Sequence, residues 1–312
     1  MNRFKSILVA TDTRVENQNL ISEVVDRAKK NGAVIKLVDV VPPISWAAKL
    51  LVSDHQHMMD LVKEEKKEQL EAVAAPIRAA GVEVSTKVLV GKTSVEIIRE
   101  VLRAKHDLVM RIAKGTKSRR KGFFGTTGIR LLRECPCVVH LVGPNSVPPV
   151  KHVMACVDTS TGDSVDDDLN KTIFQLAEDI RDRNEARFSV VHSWTIDAEQ
   201  LLEGRMPTAD FERMKDGREA HIKKLLDQFL KTQGCSADHD HVHLIKGYAP
   251  NVIPKFVKEE SVDLIVMGTV GRSGALGFIM GNTVEQILDS IECSVVAVKP
   301  SGFVSPIRMD DE

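Results

Sequence analysis

Residues 263–284 read DLIVMGTVGRSGALGFIMGNTV, and this stretch decides the fold. An apolar run ends at Met267, glycines recur over 268–281, and an apolar helical pattern follows over 284–291. The order predicts a buried strand, a glycine-rich loop and the N-terminus of a helix. Glycines let backbone N–H groups approach an anion closely, and a helix N-terminus favours phosphate. The stretch therefore predicts an α/β domain with an anion-binding loop.

The pattern occurs twice in the chain. With one constant offset, three features of the first half fall on features of the second: Asp107-Leu108-Val109-Met110 on Asp263-Leu264-Ile265-Val266, Gly125 on Gly281, and Cys137 on Cys293. The strand that ends in Asp12 likewise matches the strand that ends in Asp158. Because the register holds over many residues, the sequence predicts an internal duplication.

Strand and helix patterns alternate through each half, which predicts two tandem, doubly wound domains with five-stranded parallel sheets in the order 3-2-1-4-5. The predicted domains span 1–143 and 151–300, separated by a Pro- and Gly-containing linker, and 301–312 forms a disordered acidic tail. The covalent link favours pairing of the halves as an intramolecular pseudo-dimer. A further homodimer stays open.

Composition narrows the classes of function. Hydrophobic residues make up 43% of the chain, charged residues 28%, and the formal net charge is −1. No global positive field attracts nucleic acid, and no stretch approaches the ~18 apolar residues of a membrane span. A cytoplasmic protein is expected. Its five cysteines are expected to be reduced, and Cys135-Pro136-Cys137 is interpreted as a packing motif because it lacks the two-residue spacer of thioredoxin.

The spacing Gly268-x2-Gly271-x9-Gly281-Asn282-Thr283 resembles the loop of ATP-binding universal stress proteins. With the duplication and an early Asp, the chain is similar to tandem members of type E, within the HUP-like adenine-nucleotide-binding superfamily. The resemblance implies ATP, with Mg²⁺, in the second domain. The residues that it implies around the nucleotide are Val157, Asp158, Met267, Gly268, Gly271, Gly281, Asn282 and Thr283. Asn282 departs from the family's Ser or Thr but can still donate a hydrogen bond.

The first half departs further from the motif. Its loop reads Ile112-x2-Gly115-x9-Gly125-Thr126, so a branched side chain replaces the first glycine. A degenerate second site is predicted from Asp12, Gly115, Gly125 and Thr126. The basic segment 114–121 either binds an anion or a partner, or is a solvated loop.

Three other constellations have structural explanations beside functional ones. Four carboxylates lie near the start of a second-half helix, where they either bind a hard cation or stabilise the positive end of the helix dipole: Asp163, Asp166, Asp167 and Asp168. A predicted strand places His239, His241 and His243 on one face, as a zinc or copper site or as an exposed surface. Trp46 and Trp194 either cover a ligand or the edge of the core. No metal site is predicted.

The sequence contains no catalytic constellation, so binding rather than turnover is the predicted output, with slow ATP hydrolysis left open. We expect a stress-response protein that binds ATP or a related adenine nucleotide in its second domain. The alternative is a scaffold whose crevices bind another small or lipid-like ligand or a protein partner. Ile112 and Asn282 favour that alternative if they close both crevices.

Overall fold

The computed structural model describes residues 4–12, 18–43, 55–114, 122–160, 164–272 and 278–309, which form two compact units. The first unit comprises the described residues up to Pro148 together with those from Val304 onward, and the second runs from Pro149 to Phe303. The C-terminal segment therefore differs from the predicted disordered tail. Arg99 Nε donates to the carbonyl of Arg308 at 3.3 Å and fixes this segment on the first unit.

The first unit alternates strands with helices. Its elements are β1 (Ser6–Ala10), α1 (Gln18–Asn31), β2 (Val34–Val41), α2 (His55–Ala79), β3 (Val84–Val90), α3 (Thr93–Ala104), β4 (Leu108–Ile112), α4 (Gly125–Glu134) and β5 (Val138–Val142). All strand pairs are parallel, in the order β3-β2-β1-β4-β5. The predicted order 3-2-1-4-5 is confirmed.

The second unit repeats this plan. Its elements are β6 (His152–Cys156), α5 (Ser164–Asn184), β7 (Arg187–Trp194), α6 (Glu199–Glu203), α7 (Thr208–Thr232), β8 (Val242–Lys246), α8 (Ala249–Glu259), β9 (Leu264–Gly268), β10 (Gly271–Arg272), β11 (Phe278–Ile279), α9 (Asn282–Ser290) and β12 (Ser294–Val298). The parallel order β8-β7-β6-β9-β12 is again 3-2-1-4-5 within the unit. Helix α6 and the antiparallel ribbon of β10 and β11 were not predicted from the sequence.

Burial explains why these segments fold as they do. The central strands are mostly apolar because helices cover both faces of each sheet, and Leu8 and Val109 are fully buried. Helix α1 faces the core with an apolar stripe that includes Leu20 and Val24, and α5 does so with one that includes Leu176 and Ala177.

The strand order determines where a site can form. In each unit the first and fourth strands are adjacent at the centre of the sheet, with Val9 opposite Met110 and Cys156 opposite Met267. In open parallel sheets, ligands bind beyond the carboxyl ends of such strands, where the chain leaves in opposite directions. The predicted site residues follow these strands.

Candidate functional site

Asp158, directly after β6, lies in a rigid local network. Its backbone N–H donates to Asn170 Oδ1 at 2.9 Å, and Asn170 Nδ2 donates back to the Asp158 carbonyl at 2.6 Å. The Ser160 N–H and hydroxyl both donate to Asp158 Oδ1, at 3.0 and 2.5 Å. The residue is exposed, whereas Asn170 is buried. A buried amide on α5 therefore holds an exposed carboxylate at the carboxyl edge of the sheet.

His192 on β7 supports the same corner, and sequence reasoning missed it. Its Nδ1 lies 3.0 Å from the Val157 carbonyl, and the Thr159 N–H approaches that nitrogen at 3.4 Å. Burial lowers the pKa of His192, so the ring is neutral at neutral pH. Within the described residues its buried Nε2 has no hydrogen-bond partner. The duplication could not reveal that His192 supports this corner, because the equivalent residue in the first unit is Asp39 and not a histidine.

Met267 and Gly268 close β9, beside the strand that leads to Asp158. Met267 is buried. A Cβ on Gly268 would lie 3.0 Å from Leu169 Cδ2 and 3.7 Å from Ile173 Cδ1, both on α5. A larger residue here would require the Leu169 side chain to shift, so the close packing of α5 on β9 favours glycine at this part of the motif.

Gly281 is the N-cap of α9, and the helix starts at Asn282 rather than being capped by it. No side chain caps this end, and neither the Asn282 nor the Thr283 side chain has a hydrogen-bond partner among the described residues. A Cβ on Gly281 would meet nothing within 4 Å, and its φ is −78°. The helix N-terminus therefore presents its N–H groups beside open space, the arrangement that favours an anion.

Between these two parts of the loop, Gly271 pairs with Ile279 in the ribbon of β10 and β11. Residues 273–277 lie outside the described part of the chain. The loop is thus anchored as an antiparallel ribbon at its base, which the glycine pattern did not predict.

The first unit contains a cavity of about 350 Å³ at the equivalent edge. Its lining residues are Ala10, Asp12, Thr93, Arg111, Ile112, Ala113, Lys114, Phe124, Gly125, Thr126 and Thr127. The predicted degenerate residues Asp12, Gly125 and Thr126 are therefore brought together, while Gly115 lies outside the described residues. Lys114, from the basic segment 114–121 that the sequence offered as a possible anion site, lines the cavity, and sequence reasoning missed Arg111.

The three histidines do not share one strand face as predicted. Only His243 lies in β8, where its ring packs 4.8 Å from that of Phe256. His239 and His241 precede the strand in a turn and stack at 5.2 Å, and His241 Nε2 lies 3.4 Å from Cys235 Sγ. No group of three or more potential metal ligands occurs in the part of the chain that the structure describes.

The remaining candidates have structural settings. Asp166 and Asp167 lie in the first turn of α5, where the helix dipole favours acids, and Asp163 lies outside the described residues. Trp194 is buried, with Lys246 Nζ 6.0 Å from its ring, while Trp46 is not described. No disulfide joins any of the five cysteines. Among the described residues no helix is long and apolar enough to cross a membrane.

Known proteins resemble the chain over its full length. A sequence profile of the Universal stress protein family matches residues 3–143 and 149–299. Universal stress protein E from Salmonella typhi is 27% identical over 319 residues, covering 100% of this chain and 99% of that protein. The protein of the same name from Escherichia coli K12 is 26% identical with the same coverage. The crystal structure of a universal stress protein from Archaeoglobus fulgidus has the same fold, with a TM-score of 0.64, 20% identity, and coverage of 94% of this chain and 98% of that one.

Proposed function

The chain belongs to the universal stress protein family as two domains in tandem, and from that premise we propose that its second unit binds ATP or a related adenine nucleotide. Binding rather than turnover is the proposed output. The observation that carries the proposal is the N-terminus of α9, which no side chain caps and which has open space beside Gly281. In this proposal the phosphates bind there.

The phosphate end is supported by chemistry as well as space. Two polar side chains, Asn282 and Thr283, stand in the first turn of α9 without a hydrogen-bond partner among the described residues. The Asn282 amide can donate to a phosphate oxygen in place of the family's hydroxyl, and the Thr283 hydroxyl can do the same. Backbone N–H groups of the first turn add the partial charge of the helix.

The nucleoside end is supported at the carboxyl ends of β6 and β9. Asn170 holds the backbone of Asp158, and Ser160 donates to its carboxylate, which can also accept from ribose hydroxyls. Val157 and Met267 are apolar and adjacent to it, and they suit the faces of a purine. Mg²⁺ is proposed to enter with the nucleotide, bound through its phosphates.

The test is titration of the protein with ATP and Mg²⁺ by calorimetry and by thermal shift, on wild type and Gly281→Val. A Cβ at this position meets no atom within 4 Å, and the valine methyl groups enter the space assigned to phosphate. We expect wild type to gain thermal stability and the variant to lose at least ~10-fold in affinity, which is about 1.4 kcal/mol. Gly217→Val is the matched control, because a Cβ on that helical glycine also meets nothing within 4 Å.

Two results would contradict the proposal. One is a wild-type protein that shows no heat of binding and no thermal shift with ATP. The other is a Gly281→Val protein that binds ATP as tightly as wild type while folding normally. Loss of binding in Gly217→Val as well would indicate damage to the fold rather than to the site.

The cavity of the first unit favours a second, different binding function. Arg111 and Lys114 line it at the positions that Met267 and Val270 occupy in the second unit. The aliphatic stem of Lys114 packs on Gly125, since a Cβ there would lie 3.3 Å from Lys114 Cβ. The Lys114 stem therefore lies at the positive end of α4, and Arg111 Nη1, which donates to the Ala10 carbonyl at 3.4 Å, adds a second cation to the lining, so the cavity suits an anion.

We propose that this cavity takes a small phosphate- or carboxylate-bearing anion without a nucleoside, because Ile112 lines the place of Gly268. The test is titration with pyrophosphate in the Gly281→Val background, where the second site is closed. The double substitution Arg111→Met and Lys114→Val introduces the residues found at the equivalent positions of the second unit, and it should abolish pyrophosphate binding. Lys30→Ala, which removes an exposed cation on α1, should not. Equal affinity in all three proteins would contradict the proposal.

A further inference from the structure

Two cysteines meet at the corner that joins α4 to β5. The Sγ atoms of Cys135 and Cys137 lie 3.6 Å apart, about the sum of two sulfur radii. Cys135 is the C-cap of α4, and its N–H donates to the Leu131 carbonyl at 3.0 Å. Val138, next to Cys137, already pairs with Leu108 in the sheet. The backbone on both sides is therefore fixed, and it holds the two sulfurs against each other.

We propose that Cys135 and Cys137 form a reversible thiol–disulfide pair that small-molecule disulfides such as oxidised glutathione oxidise. The S–S bond requires the sulfurs to approach from 3.6 Å to about 2.05 Å. In this proposal the side chains rotate to close that distance while α4 and β5 stay in place. The proposal is independent of nucleotide binding in the second unit.

The chemistry proceeds in two exchanges. The Cys137 thiol loses its proton and attacks one sulfur of the small disulfide, forming a mixed disulfide and releasing one small thiolate, which takes up a proton. The Cys135 thiol then loses its proton and attacks Cys137 Sγ, which forms the protein disulfide and releases the second small thiol. The protein gives up two hydrogens and two electrons, and the oxidant receives both as two thiols.

Burial determines the order of these steps. Cys137 is half-buried, so that a small oxidant can reach its sulfur, whereas Cys135 is fully buried. The buried sulfur can react only with a partner that is already beside it. Cys137 is therefore the residue attacked from solution, and Cys135 is the residue that resolves the mixed disulfide.

The other three cysteines provide internal comparisons. Burial raises the pKa of Cys293 to about 12 and raises the pKa values of Cys156 and Cys235 as well, which disfavours their thiolates. The repeat places Ile291 at the position of Cys135, so the equivalent corner of the second unit has one cysteine and not two. Oxidation is therefore expected at the first corner alone.

The full-length protein is incubated with oxidised glutathione, denatured and alkylated, and its intact mass is measured by mass spectrometry before and after alkylation. Wild type is expected to lose two alkylatable thiols, to be lighter by two hydrogen atoms before alkylation, and to recover both thiols on reduction. A tryptic peptide that contains residues 134–142 locates the bond. Cys293→Ser is the matched control and should oxidise as wild type does.

Two variants test the assigned roles. Cys135→Ser should accumulate a stable mixed disulfide at Cys137, because the resolving sulfur is gone, and Cys137→Ser should keep Cys135 as a thiol. Since Cys135 is buried, Cys135→Ala serves as a second variant, with circular dichroism as the check of folding. The proposal is overturned if wild type retains all five thiols, if the bond joins two chains, or if oxidation maps to Cys156, Cys235 or Cys293.

Discussion

At the scale of single residues, equivalent positions of the two units have acquired different chemistry. Arg111 and Met267 occupy one position of the repeat, and Lys114 and Val270 another. Arg111 and Met267 lie near the carboxyl ends of the equivalent strands β4 and β9, and Lys114 and Val270 follow those strands. Because the fold holds these positions fixed, exchanging one side chain changes the charge of the crevice without moving the backbone. The two crevices are therefore suited to different ligands.

Gly125 and Gly281 are equivalent in the repeat but differ in backbone conformation. Gly125 has φ +66°, whereas Gly281 has φ −78°. We expect Gly125→Ala to destabilise the protein by about 1–2 kcal/mol, because an L-residue is strained in that region and its Cβ approaches the Lys114 stem. Gly281→Ala should change stability by less than about 0.5 kcal/mol. Urea unfolding of both variants measures the difference, and equal destabilisation would contradict it.

His140 makes stability depend on pH. It is fully buried in β5, and burial lowers its pKa to about 4, with Glu23 Oε1 3.3 Å from Nδ1 opposing that shift. In the unfolded chain His140 is protonated below about pH 6.5, whereas in the folded chain it stays neutral down to about pH 4. The free energy of unfolding therefore decreases as the pH falls from about 6.5 to about 4.

The free energy of unfolding of wild type is expected to decrease between about pH 7 and about pH 5. His140→Leu should make this decrease smaller by about 2 kcal/mol. Urea unfolding at both pH values measures it. His221→Gln, a change at an exposed histidine, serves as the control and should follow wild type. A His140→Leu protein with the wild-type slope would show that other groups cause the pH dependence.

At the level of elements, the equivalent helices α3 and α8 pack on their sheets through different contacts. Glu100 on α3 is buried and accepts hydrogen bonds from Lys36, Lys87 and Arg103, each at 2.8 Å. In the second unit the residues equivalent to Lys87 and Glu100 are His243 and Phe256, whose rings pack together. One interface is therefore held by charge and its copy by aromatic contact.

Glu100→Gln should destabilise the protein by roughly 3 kcal/mol near neutral pH, because three cations lose their partner. Burial alone would raise the pKa of Glu100, but hydrogen bonds from Lys36 and Lys87 outweigh it and lower the pKa to about 2. The unfolded carboxyl titrates near 4.5, so this stabilisation is complete above that pH and is lost as the pH falls toward about 2.

Urea unfolding of wild type and Glu100→Gln at neutral and acid pH measures this effect. The difference between the two proteins should shrink as the pH falls below the unfolded value. Phe256→Leu in the second unit, which removes an aromatic contact and no charge, should show a difference that does not depend on the ionisation of Glu100. A pH-independent difference for Glu100→Gln would contradict the electrostatic explanation.

At the scale of the whole molecule, the chain consists of two units with separate cores and separate candidate sites. Hydrogen exchange with ATP and Mg²⁺ is expected to show protection at 157–160, 264–272 and 280–284, and Gly281→Val should abolish it. The Arg111→Met and Lys114→Val exchange should leave that protection unchanged, because both residues belong to the first unit and the proposed nucleotide site to the second. Protection lost in both variants would show that one site depends on the other.

The sequence by itself determined the duplication, the order of elements and the strand order 3-2-1-4-5. Buried parallel strands and amphipathic helices have a characteristic spacing of apolar residues in the sequence. Because the same pattern occurs in both halves at a constant offset, the assignment of elements in one half supports the assignment in the other. The sequence also predicts that Asp158, Gly268 and Gly281 belong to one site at the carboxyl edge of the sheet, which stays a prediction. These features depend on neighbours along the chain or on the rules of parallel sheets.

Only the tertiary structure decided what each of these residues touches. It showed that Gly268 is required by Leu169 on α5, that Gly281 is the N-cap of α9, and that the sulfurs of Cys135 and Cys137 are in contact. It also moved His239 and His241 out of the predicted strand. Such contacts depend on side-chain packing between segments far apart in the chain or on the path of a turn, and neither leaves a period in the sequence.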